Sequence, residues 1–314
     1  MSRVAVIGTG RWGRRLIRVL GDLGALELAC NRGDAEGQAW VRDSYPDVRV
    51  GSSAADAIED PSIDSVVVAT PIASHAALAI SALEAGKHVF VEKPLAMSSA
   101  DAWHVVEAAE RADRRLVVGH TFLYDAGFER LHALLADDPV QRASFAWLKY
   151  GTFDEPLVWN LLPHEISLTL WLVGRPERID IVEQEAGPTE LDRLRLDLAF
   201  EGSDQAASIE IDRVHPTRTK TAHIATRSGA AYVWRDGELL AGQPDGTELR
   251  LVAATEESLV REMRAFLAAV ATGTVPRSDG RFGARVVEMV ERIGRLLPTI
   301  PVIQAAGLGA RVTE

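Results

Sequence analysis

Short apolar runs alternate with longer helical patterns over the first part of the chain. Strands are predicted at residues 4–7, 26–30, 65–69, 88–91 and 115–118, and helices at residues 12–23, 74–85 and 99–112. The predicted strands are rich in β-branched residues, and the predicted helices carry apolar residues three and four positions apart. Strands and helices that alternate in this way indicate a parallel sheet with helices on both faces. We therefore predict a doubly wound α/β domain over residues 1–122.

The periodicity changes after about residue 124. Residues 194–200 alternate strictly between apolar and polar side chains, and Asp-Gly pairs at 236–237 and 245–246 are turn signals between short strands. This pattern predicts one large, mainly antiparallel sheet over residues 143–252. We expect helices on one face of that sheet and an open face on the other.

Two amphipathic helices are predicted at the end of the chain, with apolar stripes over residues 259–270 and 286–297. A chain of 314 residues exceeds what one hydrophobic core usually organises, which favours two domains. We predict a second, α+β domain over residues 123–314 that binds substrate, with the last helix free to pack back on the first domain. Because large sheets rarely leave an apolar face uncovered, we also expect a homodimer or homotetramer.

The charge and the cysteine content argue against several classes of protein. The formal net charge of -11 at pH 7 repels phosphate backbones and anionic lipids, so we expect a small-molecule substrate and neither a nucleic acid nor a membrane partner. Cys30 is the single cysteine, no cleavable leader is visible, and no apolar run approaches the roughly 20 residues that span a bilayer. These features predict a soluble, cytoplasmic protein.

A glycine-rich loop follows the first predicted strand and opens the first helix. Its sequence is Gly8-Thr9-Gly10-Arg11-Trp12-Gly13, which has the G-x-G-x-x-G spacing of dinucleotide-binding sites. Gly8 permits a tight turn, Gly10 lets the backbone approach a pyrophosphate, and Gly13 lets the helix pack on the strand. The helix N-terminus supplies free N–H donors for the phosphates. The loop therefore predicts a bound dinucleotide and a Rossmann fold.

The end of the second predicted strand bears on the choice of cofactor. A carboxylate there would bind the ribose 2′-OH of NAD and repel the 2′-phosphate of NADP. This chain has Asn31 followed by Arg32, whose planar fork of donors suits a phosphate or stacks on adenine. We expect NADP(H) to be favoured. NAD(H) is the alternative, because Asp34 lies near enough to supply the missing carboxylate.

Two further predicted strands end in polar residues, at the edge where open α/β sheets place their ligands. One runs into Thr70-Pro71 and then His75, and the next runs into Glu92-Lys93-Pro94. Together with the glycine loop and a later histidine, His164, these elements resemble the glucose-fructose oxidoreductase, inositol dehydrogenase and rhizopine catabolism (Gfo/Idh/MocA) family. The resemblance implies a nicotinamide-dependent oxidoreductase in which these strand-end residues bind the cofactor.

Lys93 is the first candidate catalytic residue, and it is also a candidate for substrate binding. Hydride transfer makes or consumes an alkoxide, and an ammonium beside that oxygen stabilises its charge and can relay a proton. Glu92 is expected to orient the cofactor or Lys93. The alternative is that Lys93 is a surface lysine at the start of a loop.

His164 is the second candidate catalytic residue. Pro163 fits the first position of a predicted helix, so His164 would lie in the first turn, where the helix dipole disfavours an imidazolium. The resemblance implies that this histidine is the general acid/base, often with an aspartate four residues earlier. Here that residue is Asn160, which cannot stabilise a protonated His164 by charge. Asn160 and His164 are therefore candidate substrate-binding residues, and Tyr124 becomes a candidate catalytic and substrate-binding residue that offers another route for the proton.

We expect hydride transfer between the cofactor and a secondary alcohol or ketone of a sugar. Arg11-Trp12-Gly13 and residues 119–124 are similar to a branch of the family that acts on nucleotide-activated sugars, which favours a nucleotide sugar or a cyclitol. One alternative is a catalytically silent regulator, suggested by Asn160 and Ser167 where relatives carry aspartates. Another is a reductase of a non-sugar substrate, because a fold does not determine a substrate. The remaining histidines show no metal-ligand spacing, so no metal is predicted.

Overall fold

The structure is a computed structural model of the chain, and it describes residues 2–151, 153–202, 204–253 and 256–297. Residues 298–314 of the predicted second domain lie outside these ranges. Among the residues that the structure describes, no helix is long and apolar enough to cross a membrane.

Short, mostly buried strands form a parallel sheet in the first half of the chain. The strands are β1 (Val4–Ile7), β2 (Leu26–Cys30), β3 (Arg49–Gly51), β4 (Ser65–Val68), β5 (His88–Glu92) and β6 (Leu116–Gly119). Their order is β3-β2-β1-β4-β5-β6, and every neighbouring pair is parallel. The strand order reverses between β1 and β4, which is the point where such sheets bind ligands. The predicted doubly wound fold is confirmed, with β3 as a strand that the periodicity missed.

Helices cover both faces of this sheet. They are α1 (Arg11–Asp22), α2 (Ala35–Ser44), α3 (Ala55–Ile58), α4 (His75–Glu84) and α5 (Ser99–Ala112). Along β1, Val4 and Val6 belong to one hydrophobic core, while Ala5 and Ile7 belong to another. Because successive side chains of a strand point to opposite faces, these two cores lie on the two sides of the sheet.

An eight-stranded sheet forms most of the second half. Its strands are β7 (Val140–Tyr150), β8 (Arg178–Glu185), β9 (Arg193–Ala199), β10 (Ala206–Asp212), β11 (Val214–Thr226), β12 (Ala231–Arg235), β13 (Glu238–Gly242) and β14 (Glu248–Val252). Their order is β14-β13-β12-β11-β7-β10-β9-β8, and all neighbours are antiparallel except β7 and β10. The predicted large, mainly antiparallel sheet is therefore confirmed.

The two faces of this sheet differ in polarity. Phe145 and Trp147 on β7 are buried in the core that the sheet shares with its helices. These helices are α6 (Ala126–Leu135), α7 (Leu157–Asn160) and α8 (Leu162–Leu172), preceded by a 3-10 turn at Thr121–Tyr124. The opposite face is open and carries charged residues such as Arg142 and Asp197 beside small alanines. The open face is present as predicted, but it is polar and not the apolar face expected for an oligomer contact.

The last two helices return to the first sheet. They are α9 (Ser258–Thr272) and α10 (Gly280–Leu296). Met263 and Phe266 of α9 share a core with Phe90 of β5. On α10, Val287 belongs to the core of the first half and Val286 to the core of the second. Both terminal helices thus pack back on the first half, and the domain boundary after residue 122 stays a prediction.

Small residues let α10 lie close to β6. A Cβ on Gly283 would lie 2.4 Å from Cγ2 of Val118. Gly294 is on the same helix but is exposed, and a Cβ there would meet no atom nearer than Cγ1 of Val158 at 4.0 Å. The same substitution should therefore have opposite effects at these two glycines.

We predict that Gly283→Ala lowers the free energy of unfolding by about 1 to 2 kcal/mol, because overpacking outweighs the helix propensity gained. Gly294→Ala is the matched control and should raise the same quantity by up to about 1 kcal/mol. Urea unfolding followed by circular dichroism measures both values. Equal changes in the two variants would contradict the close approach of α10 and β6.

Candidate active site

The glycine loop between β1 and α1 has a geometry that requires its glycines for different reasons. Gly8 has a φ of +112°, and a Cβ there would lie 2.3 Å from the carbonyl oxygen of Ala69. A Cβ on Gly13 would lie 1.9 Å from the carbonyl oxygen of Gly8. A Cβ on Gly10, in contrast, would meet nothing within 4 Å. Gly8 and Gly13 therefore form the turn, and Gly10 leaves open space beside the N-terminus of α1.

This open space suits the pyrophosphate of a dinucleotide. No side chain caps the N-terminus of α1, so its first backbone N–H groups are available to an anion. Arg11 and Trp12 are exposed at the start of the helix, and the Arg15 guanidinium lies 4.8 Å from the centroid of the Trp12 ring. The residues present therefore fit a dinucleotide cofactor at the loop.

The turn after β2 uses Asn31 as a structural residue. Its Nδ2 donates to Oγ1 of Thr9 at 2.7 Å and to the carbonyl oxygen of Asp34 at 3.0 Å. The Asp34 carboxylate accepts from the backbone N–H of Gly37 at 3.1 Å, which caps α2. Arg32 is exposed and has no hydrogen bond or ion pair within the described ranges. The side chains of Asn31 and Asp34 are thus engaged in the turn itself, and Arg32 is free to meet a ligand.

His75 connects the two strand-end loops of the site. Its ring nitrogens lie 2.8 Å from the carbonyl oxygens of Pro94 and Thr70. The ring is buried, and this burial lowers its pKa, although the two carbonyl oxygens oppose the shift. His75 therefore holds the loop of Thr70 and Pro71 against the loop of Lys93 and Pro94. It lies beneath the surface of the crevice at the carboxyl ends of β1, β4 and β5, which is called the crevice below.

Lys93 lies at the carboxyl end of β5 and reaches the second half of the molecule. Its Nζ donates to the carbonyl oxygen of Asn160, the last residue of α7, at 2.8 Å. Burial lowers the pKa of Lys93, and the carboxylates of Glu92 and Glu155 oppose this. An ammonium has three donors, so two remain for a substrate oxygen.

Glu92, the residue before Lys93, interacts with a second buried carboxyl group that the sequence analysis did not identify. Oε2 of Glu92 accepts from the backbone N–H of Lys93 at 3.2 Å, and burial raises the pKa of Glu92 to about 7. Glu262 of α9 accepts from Oγ1 of Thr121 at 2.7 Å, and burial together with the Glu92 charge holds its pKa well above the usual range. Glu262 was missed because a lone glutamate on an amphipathic helix is usually solvated.

His164 lies in the first turn of α8, after Pro163, as predicted. Its ring centroid is 5.4 Å from that of Phe122 and 4.7 Å from that of Trp147, and its Nδ1 has no hydrogen-bond partner in the part of the chain that the structure describes. Burial, followed by the charges of Lys93 and Lys220, holds the pKa of His164 well below its usual value. The imidazole is therefore neutral at pH 7 and able to accept a proton.

The hydroxyl of Tyr124 contacts neither Lys93 nor His164 among the hydrogen bonds of the described residues. Its hydroxyl shares a hydrogen bond of 3.0 Å with Oγ of Ser278, and the guanidinium of Arg277 lies 4.8 Å from the centroid of its ring. Burial raises the pKa of Tyr124 to about 12. The structure therefore does not bring Tyr124 together with Lys93 and His164, and it offers no support for a proton route through this phenol.

A lysine that the sequence analysis did not identify lies against the same aromatic residues. Lys220 of β11 is directly opposite Trp147 of β7. Its Nζ is 3.9 Å from the centroid of the Trp147 ring and 4.2 Å from that of Phe122. It also forms a buried ion pair with Glu165, the residue after His164. The register of β7 and β11 creates this cluster, and that register cannot be read from either strand alone.

The described residues contain no group of three or more histidine, cysteine, aspartate or glutamate side chains that could hold a metal ion.

Known proteins are similar to this chain in sequence and in fold. The sequence model of the Gfo/Idh/MocA family, an oxidoreductase family with an NAD-binding Rossmann fold, matches residues 2–120. The chain is 25% identical to a 4-carboxy-2-hydroxymuconate-6-semialdehyde dehydrogenase from Sphingobium sp., over 94% of this chain and 97% of that protein. It is 32% identical to an inositol 2-dehydrogenase from Acidiphilium cryptum, over 54% of each chain.

The fold is also similar to that of a solved structure. A UDP-N-acetylglucosamine 3-dehydrogenase from Acidithiobacillus ferrooxidans matches with a TM-score of 0.85 and 22% identity, over 93% of this chain and 96% of that one. The resemblance drawn from the glycine loop and the strand ends is confirmed over residues 2–120. Residues 2–120 thus match the NAD-binding Rossmann fold of the Gfo/Idh/MocA oxidoreductase family.

Proposed function

We propose that the protein is an NAD(P)-dependent dehydrogenase or ketoreductase that acts on a secondary alcohol or ketone of a sugar or cyclitol, free or nucleotide-activated. The observation that carries the proposal is the contact of Lys93 with the end of α7, immediately before the helix that carries His164. Lys93 also lies at the carboxyl end of the parallel sheet, on the same edge as the glycine loop.

The two candidate catalytic residues have complementary roles in this proposal. The nicotinamide, when bound, supplies or accepts the hydride. Lys93 binds the oxygen of the reacting carbon with the donors that Asn160 leaves free, and it stabilises the negative charge that develops there. The neutral His164 accepts the hydroxyl proton in oxidation and returns it in reduction. Phe122 and Trp147 shield the imidazole from water.

The names of the similar proteins leave more than one class of substrate open. They specify an inositol, a nucleotide sugar and a carboxylated semialdehyde. A non-sugar substrate is therefore the second candidate, supported by the relative that matches nearly the whole chain. A change in nicotinamide absorbance with sugars, cyclitols, nucleotide sugars or semialdehydes identifies the class. No change with any of them would instead indicate a silent regulator.

We predict that Lys93→Ala reduces turnover by orders of magnitude while cofactor binding largely survives, because the lost ammonium faces the reacting oxygen. His164→Ala should reduce turnover by about 100-fold or more if the imidazole is the acid/base. Steady-state kinetics measures turnover, and quenching of protein fluorescence measures cofactor binding.

His104→Ala is a matched control, because His104 is an exposed histidine on α5. It should leave turnover unchanged. A His164→Ala protein with a raised Michaelis constant and unchanged turnover would show that His164 only binds substrate. Circular dichroism establishes that each variant is folded.

We further propose that NADP(H) is preferred over NAD(H). The support is that Arg32 is the exposed, unpaired residue of the turn, while Asn31 and Asp34 are held by hydrogen bonds within it. An unpaired guanidinium at this turn can bind the 2′-phosphate, which is found only in NADP.

We predict that Arg32→Ala weakens NADPH binding at least about tenfold more than NADH binding, because a charge-assisted contact to phosphate is lost. Arg42→Ala, which removes an exposed arginine of α2, is the control and should affect neither cofactor. Fluorescence titration with each reduced cofactor measures the dissociation constants. Equal losses for both cofactors, or a wild type that prefers NADH, would overturn the preference.

We also propose that the open face of the eight-stranded sheet forms the contact of a homodimer or homotetramer. Ala206 and Ala225 on that face let a second sheet approach closely, and Arg142 and Asp197 offer opposite charges for pairing. Multi-angle light scattering should therefore give a dimer or tetramer at micromolar concentration, and a monomer would contradict this proposal. A cytoplasmic location stays a prediction, supported by the free, buried thiol of Cys30.

A further inference from the structure

Lysine is scarce in this chain, and most of its lysines lie near the crevice. The sequence contains four, Lys87, Lys93, Lys149 and Lys220, among 34 lysine and arginine residues. Lys87 is bonded to two backbone carbonyl groups within the first half of the molecule. Lys93 donates to the carbonyl oxygen of Asn160, and Lys220 is paired with Glu165. Lys149 therefore remains to be explained.

Lys149 lies beside the aromatic residues that surround His164. It is two positions after Trp147 on β7, so its side chain leaves the sheet on the same face. It is half-buried, and its Nζ is 5.2 Å from the centroid of the Trp147 ring. Lys220 and His164 contact the same ring. The Trp147 ring thus lies against the ammonium groups of Lys149 and Lys220 and against the imidazole of His164.

Several of the positive charges here have no carboxylate partner in the part of the chain that the structure describes. Lys220 is paired with Glu165, but Lys149, Arg11 and Arg218 have no carboxylate within 4.0 Å among the described residues. Burial, followed by the charges of Arg11, Lys93 and Arg218, lowers the pKa of Lys149 to about 8. Cations from both halves of the molecule therefore repel one another at the crevice.

A neutral polyol would leave this repulsion in place and would desolvate Lys149 further. An anionic oxygen group would relieve it, because partly buried charges are stabilised by an opposite charge with hydrogen bonds. The compact lysine ammonium binds carboxylates and phosphates as a point charge. We propose that Lys149, with Arg218 of the adjacent strand β11, binds an anionic group of the substrate, a carboxylate or a phosphate, while Lys93 and His164 hold the reacting carbon.

This inference rests on the proposed function, since it places the anion on the substrate of that reaction. The cofactor offers a competing anion, because Arg11 begins α1 at the glycine loop and is among the charges that act on Lys149. The test must therefore measure cofactor affinity separately from the affinity for a small acid.

Calorimetric titration of the full chain with oxidised cofactor bound is the direct test. The probes are D-glucuronate, D-glucose 6-phosphate and D-glucose, which present a carboxylate, a phosphate and no charge. At least one acid should bind about tenfold or more tightly than D-glucose. Lys149→Met should weaken the binding of that acid by about 10- to 100-fold, as expected for a lost hydrogen bond between charged groups. Lys149→Arg should recover most of the affinity.

Two controls make the result specific. Arg130→Met removes an exposed cation of α6 and should leave the binding of all three probes unchanged. Cofactor affinity should change less than about twofold in Lys149→Met, because the loss concerns the substrate. The acid that binds more tightly identifies the group as a carboxylate or a phosphate.

Three results would overturn the inference. They are equal binding of acids and D-glucose, no binding of either acid, and a Lys149→Met protein that loses cofactor affinity but not acid affinity. Titration does not depend on turnover. Acid binding that requires Lys149 in a protein without hydride transfer would therefore refute the proposed function and leave the anion site standing.

Discussion

The hydrogen bond from the Lys93 ammonium to the carbonyl of Asn160 joins the parallel sheet to the helices of the second half. A partly buried ammonium is stabilised by such a partner, because desolvation without one is costly. The contact uses a backbone carbonyl and therefore does not depend on the side chain at position 160. A change of side chain at position 160 would therefore leave this partner of Lys93 in place. His75 supports the same arrangement from below through the carbonyl oxygens of Thr70 and Pro94.

Burial has the same consequence for each ionisable group at this junction. It lowers the pKa of Lys93 and of His164 and raises that of Glu92 to about 7, so in every case the neutral form becomes more accessible. At neutral pH this brings the two forms of Glu92 close in free energy, whereas it leaves His164 in its neutral form, as a proton acceptor. The arrangement thus suits the proton transfer of the proposed reaction.

Features that depend on local pattern could be predicted from the sequence. The glycine loop, the alternation of the large sheet and the position of His164 in a first helical turn all follow from spacing within a few residues. Strand β3 has only three residues, too few for a periodicity to appear. Tyr124 was expected near the proton path, but its hydroxyl bonds to Ser278, 154 residues later in the chain. Such a contact depends on how α9 and α10 return to the first sheet, which no local pattern specifies.

Lys149 and Lys220 show that the local charge of a site, too, cannot be predicted from the net charge of the chain. The net charge of -11 describes the whole surface, and it opposes a polyanion such as a nucleic acid, which must approach over a wide area. Screening confines the effect of an exposed charge to about 10 Å at ordinary ionic strength, so distant carboxylates contribute little inside a crevice. There the potential is set by the few groups that the register of β7 and β11 brings beside Trp147. An acidic protein can therefore exclude polyanions and still present a cationic site to a small anionic substrate. The exclusion drawn from composition applies to macromolecules and does not extend to small acids.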